Sequence, residues 1–156
     1  MKHTTMLSLS SIMNDSEVNN FLYHTNILNM FYDIKNSNFV LCRSFISNEV
    51  YARLGHKDYD NTENFDFFVD KLLFLAKHRY DVKVIILATS NSELERRLGK
   101  REKFEFVEHT VKEAKEQQRK YLEMASELRE RGLSVSVVNN AGLTKKQLCQ
   151  YVMENI

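Results

Sequence analysis

Asn38-Phe39-Val40-Leu41-Cys42-Arg43-Ser44-Phe45-Ile46-Ser47-Asn48-Glu49-Val50-Tyr51 is the stretch from which the fold can be read. Its first part, Phe39 to Cys42, is a short apolar run of the kind that forms a strand buried on both faces. From Ser44 onward the period changes. Phe45, Ile46, Val50 and Tyr51 recur at helical spacing, so the chain passes from strand to helix within about two residues. Arg43 sits in that turn. In an open α/β sheet the carboxyl ends of the strands face the ligand crevice, which makes Arg43 either an anion clamp or a partner in a sheet-edge salt bridge.

Outward from this stretch, strands and helices alternate. On the amino-terminal side, Thr4 to Leu9 can form a small strand, and Asn14-Asp15-Ser16-Glu17 offers capping chemistry for a helix reaching about Ile34. That helix is expected to bury Val18, Leu22, Ile27, Met30, Phe31 and Ile34. On the carboxyl-terminal side, residues 55–64 form a polar loop whose His and acids fit no metal-ligand spacing. A helix over 65–79 follows, with Phe65, Phe68, Val69, Leu72, Leu75 and Ala76 on one face and Phe67, Leu73 and Phe74 widening it. The β-branched run 82–89 is the clearest strand, and Ser90-Asn91-Ser92-Glu93 caps the next helix. Thr110 opens a long helix to Arg131, with Gly132 as its C-cap, before a strand over 133–138 and a closing helix over 144–155. Strand, crossover helix and strand in this order predict a mainly parallel sheet.

With 156 residues, 43% of them hydrophobic and 28% charged, the chain is expected to be one soluble domain, with residues 1–37 as its most divergent part. Twenty-two basic and 21 acidic side chains leave a net charge of +1, so an anion site must be a local cluster. Two cysteines make no disulfide framework, and no charged-then-apolar leader opens the sequence, so a reducing cytoplasm is the expected compartment. No apolar run is long enough to span a bilayer. The basic cluster around Arg97 is matched by acids and lacks aromatic stacking platforms, which argues against nucleic acid as a partner. Arg97 and Arg101, one helical turn apart, are either a bidentate grip for polyphosphate or part of a solvated face paired as Glu93 with Arg97.

Several of these segments, taken in order, resemble thymidylate kinases and the related deoxynucleoside kinases of the P-loop class. Cys42 to Tyr51 resembles that family's Asp-Arg motif with its downstream Ser and Tyr. Glu95 to Glu102 resembles the arginine-bearing lid, and Phe104 to Glu108 and Arg119 to Ala125 resemble the segments after it. The likeness covers roughly residues 38–156. It implies a three-layer α/β fold with a reduced amino-terminal part, in which Arg43 holds the phosphate of a nucleoside monophosphate, Ser47 and Tyr51 line the same pocket, and Arg97 and Arg101 close over the transferring phosphates. ATP and Mg²⁺ are the cofactors it implies for an active enzyme, and a homodimer or partner protein is its expected assembly.

The departures are specific. No strand is followed by G-x-x-x-x-G-K-[ST], the run whose backbone N–H groups and Lys cradle donor phosphates, and the first glycine is Gly55. Cys42 stands in place of the family's acid, and Ala52 in place of the Gln beside its Tyr. The chain is thus expected to bind nucleotide and to transfer phosphoryl groups only if a partner or a missing segment supplies the loop. The alternative is a non-catalytic interaction or inhibitor module that reuses the fold.

Overall fold

The computed structural model describes residues 3–8, 16–34, 36–100 and 110–154. They form two compact units, Met1–Val82 and Lys83–Ile156.

In the first unit, β1 (His3–Ser8) pairs in parallel with β2 (Ser37–Cys42), from His3 opposite Ser37 to Ser8 opposite Cys42. The crossover is α1 (Glu17–Asp33), which starts where the Ser16 hydroxyl accepts the Asn19 N–H. α2 (Phe45–Arg53) follows β2 after a two-residue turn, and α3 (Thr62–His78) packs beside both helices. The core of this unit is aromatic. Phe45, Phe65 and Phe68 are fully buried, with Phe45 ring centroids 6.1 Å from Phe65 and 5.4 Å from Phe68. Tyr80, just past α3, donates its hydroxyl to the carbonyls of Phe31 and Ile34, pinning the end of α1.

The buried face of α1 differs from the one predicted. Asn20, His24, Ile27, Leu28 and Phe31 are buried, whereas Val18, Leu22 and Ile34 remain 64%, 51% and 37% exposed. On α3, Phe65, Phe68, Val69 and Leu75 face the core as expected, and Phe67 and Phe74 stay open to solvent.

In the second unit, β3 (Lys83–Ala88) pairs in parallel with β4 (Ser134–Asn139). Between them run α4 (Asn91–Gly99) and α5 (Val111–Glu130), and α6 (Lys145–Glu154) closes the chain. α5 begins with a reciprocal cap, in which Thr110 Oγ1 accepts the Glu113 N–H and Glu113 accepts the Thr110 N–H. Ala114, Met124, Ala125 and Leu128 form its buried stripe. It ends at Gly132, whose φ of 98° lets the chain reverse. The Gln118 carboxamide clamps the end of β3 by accepting the Thr89 N–H at 2.9 Å and donating to the Thr89 carbonyl at 3.0 Å. No helix among the described residues is long and apolar enough to cross a membrane.

Candidate functional site

β2 ends at Cys42, and the next residue takes an unusual backbone conformation. Arg43 has φ of 54°, in the left-handed region where a side chain other than glycine costs on the order of 1 kcal/mol or more. Asn36 shares the region at φ 61°, but Asn tolerates it and Arg has no such aptitude. The Arg43 side chain is exposed and makes no ion pair or hydrogen bond among the described residues.

Immediately after it, Ser44 caps α2, its hydroxyl accepting the Ile46 N–H at 3.2 Å. Ser47 stands in the first turn, about nine-tenths buried, with a hydroxyl that has no hydrogen-bond partner among the described residues. Tyr51 lies one turn further along the same face and is half-buried. Thus a guanidinium and a hydroxyl that have no partner among the described residues, a helix amino terminus and a phenol ring follow one another along α2. The guanidinium attracts anions by its charge and the amino terminus by the positive end of the helix dipole, the Ile46, Ser47 and Asn48 N–H groups themselves being bonded to Ser44.

The opposite side of α2 holds a polar network that hydropathy could not reveal. Glu49 is 1% exposed, and its carboxylate accepts from Arg53 Nε and from Asn61 Nδ2, both at 2.8 Å. Asn48 donates to Asn61 Oδ1 at 3.2 Å and to the Tyr59 hydroxyl at 3.3 Å, and Asn20 of α1 donates to the same hydroxyl at 3.1 Å. The Arg53 guanidinium also lies 5.6 Å from the Phe65 ring centre. A buried carboxylate is tolerable only when it is paired in this way. Its effect is to fasten the loop between α2 and α3 to α1 and α2 together.

In the second unit Arg96 and Arg97 are occupied. Glu93 binds both Arg96 and Arg97, and hydrogen bonds from Arg96 and then Arg97 hold its carboxyl down to about 2. Arg97 uses two further donors on Asn140, reaching Oδ1 at 3.2 Å and the carbonyl at 3.1 Å. This is the Glu93 pairing weighed from the sequence, joined by a link to the loop after β4. Arg101 lies outside the described residues. A cavity of about 230 Å³ opens at the carboxyl ends of β3 and β4, lined by Leu87, Thr89, Arg97, Gln117, Tyr121 and Asn140. Among the described residues no group of three His, Cys, Asp or Glu side chains converges as a metal site.

No protein-family model and no curated protein matches the sequence. A solved structure does match in fold. It is the crystal structure of the YorR protein of Bacillus subtilis in complex with phosphorylated GDP, at a TM-score of 0.67 and 20% identity, covering 99% of this chain and 80% of that one. At this identity the likeness concerns the fold, an α/β arrangement that in YorR accommodates a nucleotide.

Proposed function

We propose that this protein binds a nucleoside monophosphate along α2, in the manner of a nucleotide kinase's acceptor site. Arg43 and the amino terminus of α2 hold the phosphate, Ser47 donates its hydroxyl to a phosphate oxygen, and Tyr51 lines the nucleoside. The observation that carries this reading is Arg43 itself, kept at φ 54° with no carboxylate partner among the described residues, directly before a helix whose Ser47 hydroxyl likewise has no partner among them. Strain of this kind persists where the surrounding structure holds a side chain for a purpose. The guanidinium suits phosphate because its fork of donors matches two oxygens at once. The fold shared with a nucleotide-bound protein supports the same ligand class.

Within this reading the chain is a single thymidylate-kinase-like domain with a three-layer fold, and Arg97 and Arg101 belong to the donor side. Transfer from ATP needs the donor phosphates and Mg²⁺ to be placed with precision. The residues present do not fit that task. No glycine-rich phosphate loop occurs in the sequence, Cys42 offers no carboxylate, and Arg97 is held by Glu93 and Asn140. Catalysis therefore requires a loop supplied by a partner or by further sequence. The second reading, an interaction module, is favoured by the exposed Val18, Leu22, Phe67 and Phe74 of α1 and α3.

Thermal denaturation tests the first reading. A nucleoside monophosphate at about 100 times its Kd is expected to stabilise the protein by roughly 2.7 kcal/mol, and Arg43→Ala is expected to abolish the rise in Tm. The reading fails if none of the common monophosphates shifts the wild-type protein.

A further inference from the structure

We propose that the ring pair Tyr51–His56, at the carboxyl end of α2, receives the base of the bound nucleotide, with His56 the residue that sets how tightly the base is held. The proposal rests on the acceptor reading above and extends it to a residue outside the motifs that carry the resemblance.

The geometry begins with the end of the helix. Gly55, at φ 76°, donates its N–H to the Ala52 carbonyl at 2.9 Å, and His56 donates its N–H to the Tyr51 carbonyl at 3.0 Å. These two bonds form a Schellman cap, which brings the side chains of Tyr51 and His56 together, with ring centroids 6.2 Å apart and planes 62° from parallel. The far end of the same short loop is fixed by Asn61 on Glu49 and by Tyr59 beneath Asn20 and Asn48. His56 is thus held from both sides, while its imidazole is exposed and makes no hydrogen bond among the described residues.

The same cap ends α5 and supplies a comparison within one chain. There Gly132 donates to Arg129, and Leu133 donates to Leu128, placing Leu128 against Leu133 with both side chains buried. An apolar pair is what such a cap uses when its contact serves packing. At α2 the equivalent positions carry a phenol and an imidazole, of which one is half-buried and the other exposed. Packing alone does not call for these two rings. A flat π-face and imidazole nitrogens with no partner among the described residues suit a heteroaromatic base, which stacks on one and hydrogen-bonds to the other.

The spacing agrees with such a ligand. Ser44 and Tyr51 are seven residues apart, a rise of roughly 10 Å along the helix. A nucleoside monophosphate laid along α2 with its phosphate at Arg43 and Ser47 therefore presents its base at the ring pair. Holding the rings in place before binding lowers the ordering cost of the complex.

Titration calorimetry with the four common ribonucleoside monophosphates, dTMP and ribose 5-phosphate separates the two ends of the site. The wild-type protein is expected to bind its best monophosphate about tenfold or more tightly than ribose 5-phosphate, which offers the phosphate but no base. His56→Ala is expected to erase that advantage and leave ribose 5-phosphate binding unchanged, and His56→Phe to restore part of it by stacking. If His56→Ala binds monophosphates as tightly as wild type while Arg43→Ala loses every ligand, the ring pair is not the base site and the acceptor reading stands. If His56→Ala weakens ribose 5-phosphate and monophosphates equally, His56 does not read the base. If the wild-type protein binds none of these ligands, the acceptor reading and this proposal both fall.

Discussion

Among single residues, His24 carries the sharpest consequence. It is 1% exposed, its ring meets the edges or faces of Tyr23, Phe45 and Phe68, and neither nitrogen has a hydrogen-bond partner. Burial first, and the charge of Lys57 second, pull its pKa from 6.5 to about 4. The unfolded chain therefore takes up a proton near pH 6.5 that the folded protein refuses until about pH 4. This contribution to stability is complete above pH 6.5 and is lost as pH falls toward 4, with a limiting slope of about 1.4 kcal/mol per pH unit. Urea unfolding at pH 7 and pH 5 is expected to show the loss in wild type and a much smaller one in His24→Phe; equal losses in both would place the acid sensitivity elsewhere. His24 also explains a misreading of the sequence. With Asn20 it occupies the core face of α1, so a stripe drawn through apolar residues selected Val18 and Leu22, which solvent covers. Hydropathy assigns polar residues to the surface, and only their partners across the fold, such as Tyr59 for Asn20, reveal the exception.

At the scale of elements, the caps were legible because their chemistry is local. Ser16, Ser90 and Gly132 each begin or end a helix where a short side chain or a glycine within a few residues dictates it. Gly132→Ala forces an alanine to φ 98° and is expected to cost about 1 kcal/mol, read as a lower urea midpoint with an unchanged slope. The network behind α2 was not legible, because Glu49 and Asn61 are 12 positions apart and their pairing depends on how two helices and a loop meet. Asn61→Ala leaves the buried Glu49 carboxylate without one donor, so a destabilisation of about 1–3 kcal/mol is expected. Amide hydrogen exchange in the α2–α3 loop is expected to quicken in the same variant; an unchanged loop would show that Tyr59 alone holds it.

For the whole molecule, the alternation of strands and helices was readable from residue order. The parallel pairings of β1 with β2 and β3 with β4 follow from the helical crossovers between them. The segment over 4–9 does form a strand, shifted slightly to His3–Ser8, so β2 has a partner despite the unusual sequence before α1. What composition could not supply is the use made of each arginine. Arg43 and Arg97 look alike in sequence, yet Arg43 is strained and without a partner among the described residues while Arg97 is bonded to Glu93 and Asn140. Two expectations follow at this scale. Purified protein with ATP, Mg²⁺ and a monophosphate is expected to show little or no phosphoryl transfer, since positioning carries most of that chemistry; robust turnover lost in Arg97→Ala would point to a donor site of another kind. Sedimentation at micromolar concentration is expected to show a dimer joined through Val18, Leu22, Phe67 and Phe74, converted to monomer by Phe67→Asp with Phe74→Asp; a wild-type monomer at every concentration would remove the support for self-association. The central claim, that α2 and the turn before it bind a nucleoside monophosphate, is tested most directly by titrating the ¹⁵N-labelled protein and following its amide resonances. Saturable shifts concentrated on Arg43 to Tyr51, and absent in Arg43→Ala, are the predicted result; saturable shifts confined to other residues, or none at millimolar ligand, would contradict it.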